Sequence, residues 1–205
     1  GVLLIATAIT FFGESTIQHY PVFERLEIAT FQTVNAISTA GYNSIPLSNL
    51  TLGVLLTIIF LMYIGAAPSS TGGGMKITTL TAVIAIVKSK VRNQAKVTYL
   101  GKKIPADRLE MAVSTFIFYT AILFFSVFLL SFTENQSLEK LLFEATSAIG
   151  TVGLSMGITG SLSVWGKIIL ISIMFIGRVG VITFGLAILA KKQHKKIDNE
   201  TDLAV

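Results

Sequence analysis

The sequence predicts an all-α integral membrane protein, and three observations carry that prediction. Hydrophobic residues make up 52% of the chain and charged residues 13%, with a mean hydropathy of +0.74, which is far from the balance of an ordinary soluble domain. One segment is written twice: Phe31-Gln-Thr-Val-Asn-Ala-Ile-Ser-Thr-Ala-Gly41 and Phe143-Glu-Ala-Thr-Ser-Ala-Ile-Gly-Thr-Val-Gly153 stand 112 positions apart, each ending in Thr-x-Gly. Met62-Tyr-Ile-Gly65 and Met174-Phe-Ile-Gly177 recur at the same offset. The duplication therefore reaches into the helix that follows each Thr-x-Gly.

The elements follow in order. A membrane span needs about 20 mostly apolar residues, and apolar runs lie at 1–12, 50–67, 75–87, 111–132 and 164–190. The first run is too short to cross alone, so the chain is expected to begin inside a helix with upstream sequence missing. Val22 to Ile37 and Leu138 to Ile149 are shorter than a span yet patterned as helices, the length of a helix that enters a membrane halfway and stops. From Leu50 to Val87 apolar character runs through 38 residues, interrupted by Ala66-Ala-Pro-Ser-Ser-Thr-Gly-Gly-Gly-Met-Lys76. Proline and three glycines predict a broken helix there. Each unit is thus an outer helix, a half-length helix, a Thr-x-Gly loop and an inner helix. The first covers 1–100 with the interrupting loop at 66–76, the second covers 101–190, and a basic tail occupies 191–205.

Charge placement orients the chain. Between Lys88 and Arg108 seven basic residues face the single acid Asp107, and Lys191, Lys192, Lys195 and Lys196 follow the last run. The positive-inside rule makes 88–108 and 191–196 cytoplasmic. The net charge of +5 is read as topology, not as nucleic-acid binding. Glu14, Glu24, Glu27, Glu134, Glu139 and Glu144 are expected on the opposite side, either as solvated loop charges or concentrating cations. The chain has no cysteine, which excludes disulfides and thiolate metal sites. Its two histidines, His19 and His194, lie outside the apolar runs.

Non-helical backbone at membrane depth is tolerated only when buried in protein or lining water. A Thr-x-Gly loop after a half-length helix therefore implies a central cavity. The helix C-terminus carries about half a negative charge, backbone carbonyls can replace the hydration shell of a cation, and glycine frees the backbone to turn them inward. Ion permeation is the leading reading.

Thr39-Ala40-Gly41-Tyr42 and Gly150-Thr151-Val152-Gly153 look like relaxed versions of the potassium-channel filter, and the whole pattern resembles the Trk/Ktr/HKT superfamily of potassium transporters. The stretch Gly177-Arg-Val-Gly-Val-Ile-Thr-Phe-Gly185 looks most like the membrane subunit of the bacterial Ktr branch, KtrB. The resemblance implies parallel membrane–pore-loop–membrane repeats around a fourfold pore, of which this chain carries the third and fourth. Ser38, Thr39, Ala40, Gly41, Gly150, Thr151, Val152 and Gly153 would then bind potassium through backbone carbonyls, and the other two sides would come from upstream repeats. It further implies an intramembrane gate in the Ser-Thr-Gly-Gly-Gly-x-Lys loop: Ser69, Ser70, Thr71, Gly72, Gly73, Gly74 and Lys76.

Arg178 sits within the apolar run of 164–190, where a charge costs about 2.5–3.5 kcal/mol on insertion scales and usually marks a pathway. It is expected to face the pore and donate to carbonyls of Ser69–Gly74; a structural tie between units is the bland alternative. For Lys76 the alternative is a long stem that snorkels towards the cytoplasm. The resemblance implies potassium as substrate with possible sodium dependence, no bound cofactor, a homodimer, a cytosolic nucleotide-binding RCK ring on the basic face, and a plasma-membrane location. Two other readings stay open: a secondary transporter holding a solute at the broken helix, and a non-transport scaffold. Gly153-Leu-Ser-Met-Gly157 fits a nucleophile elbow without a histidine at membrane depth, and Thr71–Thr78 lacks the Gly-Lys-Ser/Thr of a phosphate loop.

Overall fold

The computed structural model describes residues 1–65, 73–93, 97–99 and 102–180. Among these, seven α-helices run in the order α1 (Val2–Gly13), α2 (Val22–Ser38), α3 (Leu52–Ile64), α4 (Ile77–Val91), α5 (Ala106–Thr133), α6 (Leu138–Ile149) and α7 (Val164–Val179). The two half-length helices thus fall within one residue of their expected bounds. The long apolar run is broken as its composition predicts: α3 stops at Ile64 and α4 resumes at Ile77. Of the expected last span, Val164–Val179 is helical, whereas 181–205 lies outside the described residues.

Two details depart from expectation. A two-stranded antiparallel ribbon, β1 (Thr98–Tyr99) with β2 (Lys102–Lys103), interrupts the all-α pattern. Helix α5 begins five residues before its apolar window, because Pro105 presets the entry angle and Asp107, Arg108 and Glu110 extend a helix without adding hydropathy. At 28 residues, α5 is the one described helix long and apolar enough to cross a membrane; α1 and α3 are shorter apolar helices.

Packing follows the order of the chain. Helices α1, α2 and α3 pack against one another, α5, α6 and α7 do the same, α4 lies on α5, and α3 meets α6 where the two groups join. Alanines on the half-length helices let neighbours come close: Ala29, Ala36, Ala145 and Ala148 are all buried. Phe143 of α6 is fully buried in the cluster formed with Ile58, Leu61 and Met62 of α3. Gly177 lets α7 cross the end of α6, since a Cβ there would collide with the Ile149 carbonyl.

Each three-helix group is closed by a carboxylate. Glu14 caps the C-terminus of α1, is fully buried, and accepts from the N–H of Thr51 at 2.9 Å, the N-cap of α3. Glu134 caps α5 and accepts from the N–H of Ser163 at 3.1 Å and from its hydroxyl, the N-cap of α7. Thr51 and Ser163 stand at the 112-residue offset. These acids are inter-helix ties, which corrects their expected role as solvated or cation-attracting loop charges. A helix entry leaves N–H groups without intrahelical partners, and an anion satisfies them while matching the positive end of the dipole.

Candidate functional site

The two Thr-x-Gly segments adopt one backbone pattern. Thr39 is left-handed at φ 58° and Thr151 at φ 53°, Gly41 follows at φ 79° and Gly153 at φ 90°, and the residues between them, Ala40 and Val152, keep negative φ. The local hydrogen bonds match as well. The Ala40 N–H donates to the Asn35 carbonyl at 3.2 Å, and the Val152 N–H donates to the Ser147 carbonyl at 2.9 Å. A left-handed conformation is routine for glycine but costs a residue with a Cβ roughly 1–2 kcal/mol. Two threonines in that region, held by the same bond, mark a backbone shape imposed by its surroundings.

The two glycine turns lie against each other. A Cβ on Gly41 would run into the Val152 carbonyl oxygen and come within 3.4 Å of the Gly153 Cα, and one on Gly153 would sit 3.7 Å from the Gly41 Cα. Along these segments Ser38, Ala40 and Gly153 are exposed, Thr39, Gly41 and Thr151 are half-buried, and Gly150 and Val152 are buried.

Behind each turn a polar side chain from the half-length helix holds the returning backbone, a feature sequence reasoning missed. Gln32 Oε1 accepts from the Ser44 N–H at 3.4 Å; Glu144 Oε1 accepts from the Met156 N–H at 3.0 Å. Both donors and both acceptors obey the 112-residue offset. Glu144 is 5% exposed and also accepts from the hydroxyls of Ser155 and, at 2.9 Å, Thr159. Glu144 is therefore buried and hydrogen-bonded, which corrects the expectation of a solvated loop charge. The paired Gln and Glu inside the duplicated segments were the available signal.

The glycine-rich segment reaches the second turn. The Gly73 N–H donates to Thr151 Oγ1 at 2.8 Å, and the Met75 N–H donates to the Tyr63 carbonyl at 3.3 Å, so the chain doubles back along the end of α3. Gly74 has φ 81° and Lys76 is the N-cap of α4. Ser69, Ser70, Thr71 and Gly72 lie outside the described residues. Arg178, in the last turn of α7, lines a cavity of about 450 Å³ together with Thr151, Gly153 and Glu144. The structure thus sets Gly41 against Val152 and Gly153, sets Gly73 against Gly150 and Thr151, and lines one cavity with Arg178, Thr151 and Gly153.

Two helix-then-loop units whose glycine turns meet, in a chain this apolar, define a mostly helical protein of membrane-like composition. The chain belongs to the TrkH family of cation transport proteins, whose family model matches residues 2–199. It is 32% identical over 195 residues to the Ktr system potassium uptake protein B of Bacillus subtilis (strain 168), covering 95% of this chain and 43% of that protein. The protein of the same name from Vibrio alginolyticus is 39% identical over 155 residues, 76% of this chain and 34% of the relative. The potassium/sodium uptake protein NtpJ of Enterococcus hirae is 36% identical over 172 residues, 82% of this chain and 38% of the relative. The crystal structure of the potassium transporter TrkH from Vibrio parahaemolyticus superposes with a TM-score of 0.75 at 20% identity, covering 91% of this chain and 42% of that one. This likeness shows a shared, mostly helical fold. The chain spans less than half the length of these relatives. All three curated relatives are named for uptake, in line with the expectation of a transport protein and not an enzyme.

Proposed function

We propose that this chain supplies two sides of a fourfold potassium pathway, with Ser38–Gly41 and Gly150–Gly153 as filter segments that bind the ion through backbone carbonyls. The observation that carries this reading is the matched sequence of φ signs, positive, negative, positive, at 39–41 and 151–153, on two turns that touch. In a strand, successive carbonyls alternate sides. Alternating the sign of φ turns consecutive carbonyls to one side instead, the arrangement that replaces a hydration shell. Helices α2 and α6 end just before these segments and direct the negative ends of their dipoles towards the ion. The remaining two sides come from upstream repeats, so that the two units here act as the third and fourth.

The relatives named for potassium, and in one case for potassium and sodium, support potassium as substrate with sodium influence. Residues 69–74 with Lys76 act as the gate, and Arg178 holds it by donating to carbonyls of that loop. The Gly73–Thr151 bond supports a direct link between gate and filter. The protein is a multi-pass component of the plasma membrane with 88–108 and 191–196 in the cytoplasm, where a nucleotide-binding RCK ring docks on a homodimer.

Potassium uptake by a transport-deficient strain, with the full-length protein carrying Gly41→Ser or Gly153→Ser, tests the filter. Potassium-over-sodium preference should fall by roughly tenfold or more, the effect of about 1.4 kcal/mol. Preference retained in both variants removes the filter assignment. Arg178→Ala should leave the preference intact while raising basal flux; unchanged flux and gating remove Arg178 from the mechanism.

A further inference from the structure

On the basic side of the molecule the ribbon packs on α4, and residues of α4, the ribbon and α5 line an open cleft of about 780 Å³. Lys102 and Lys103 of β2 and Arg108 of α5 line it, while Met111, Ala112 and Ala82 form apolar wall. Among the described residues none of these three cations forms an ion pair or a side-chain hydrogen bond. The acids nearest in sequence, Asp107 and Glu110, do not line the cleft. Three like charges around one concavity repel one another, and that repulsion is relieved by an anion bound between them.

We propose that this cleft binds an anionic phospholipid, its phosphate between Lys102, Lys103 and Arg108 and the start of its acyl chains on Met111, Ala112 and Ala82. The volume lies in the range of small-molecule sites. Basic pockets between membrane helices on the cytoplasmic side are where lipid head groups are recognised. The occupant is a lipid and not a free phosphate because the helices that wall the cleft continue as apolar surface: Ile84 and Val87 of α4 and Ile117 and Phe118 of α5 are exposed. No glycine-rich phosphate cradle lines it.

The inference shares with the proposed function the membrane orientation and the basic segment 88–108. Its test uses binding and not uptake, so failure of one is distinguishable from failure of the other. Full-length protein in detergent is titrated with phosphatidylglycerol and, separately, phosphatidylcholine, and retained lipid is counted by native mass spectrometry. Phosphatidylglycerol should be preferred, and the triple variant Lys102→Gln, Lys103→Gln, Arg108→Gln should bind it on the order of tenfold more weakly or worse. Removing the same charge at Lys88, Lys90 and Arg92 should leave binding unchanged, and Met111→Trp, which fills the cleft and keeps every charge, should abolish it. Equal loss in the Lys88/Lys90/Arg92 variant, or full binding by Met111→Trp, reduces the effect to general surface charge and overturns the site. Full displacement of the lipid by millimolar glycerol phosphate overturns the lipid in favour of a soluble anion. A triple variant that keeps the lipid but loses a cytosolic protein partner assigns the cations to that partner and likewise overturns it.

Discussion

The segment from α2 to Ser44 and the segment from α6 to Met156 share a pattern of φ signs through their turns but are held by different bonds. Behind the second turn, Glu144 is a buried carboxylate that accepts from one backbone N–H and two hydroxyls. Behind the first, Gln32 accepts a single long bond, and its Nε2 is buried with no partner among the described residues. The second turn also receives Gly73 on its threonine hydroxyl. Helix α6 is buried from Phe143 to Ile149, whereas α2 leaves Phe23, Leu26 and Phe31 exposed. Duplicated sequence therefore specifies the path of the backbone, and the few positions where the copies differ decide how firmly it is held.

The largest expected break of this comparison is at that pair. Glu144→Ala should cost about 3 kcal/mol or more, since hydrogen bonds to a charged group are worth roughly 1.5–3 kcal/mol each, whereas Gln32→Ala should cost about 1 kcal/mol. Thermal unfolding of the full-length protein in detergent measures both, and equal losses would mean that the Glu144 network adds nothing. The converse change, Gln32→Glu, sharpens the point: without hydroxyls placed as Ser155 and Thr159 are, the new charge should destabilise.

Next come the glycines, where the asymmetry reverses. Gly41→Ala must overcome both a left-handed backbone and the Val152 carbonyl, so about 2–4 kcal/mol is expected. Gly153→Ala meets nothing closer than 3.7 Å, and only the backbone term of about 1–2 kcal/mol applies. The same unfolding measurement separates them, and a larger loss at Gly153 would contradict the geometry. An effect as small as that of Gln32→Ala is expected from Thr151→Val, which keeps the shape but removes the acceptor for the Gly73 N–H, at about 1 kcal/mol. Flux recordings should show altered gating with unchanged selectivity; if selectivity shifts instead, the hydroxyl serves the turn and not the link.

Periodicity, apolar run length and the 112-residue offset together determined the half-length helices, the break between α3 and α4 and the place of both Thr-x-Gly turns, because each is written in local composition and spacing. The glycines at 41 and 153 were legible for the same reason: a turn that needs positive φ selects the residue without a Cβ. The acids were not. Glu14, Glu134 and Glu144 read as solvated charges, and whether a carboxylate is solvated or spent on a distant N–H depends on which backbone the fold brings within 3 Å or so of it. The approach of Gly41 to Val152 and of Gly73 to Thr151 likewise joins residues far apart in the chain, and the cleft sets Lys102, Lys103 and Arg108 against Ala82 of another helix. Such contacts exist only once α3 is packed on α6 and the ribbon on α4, so tertiary structure alone decided them.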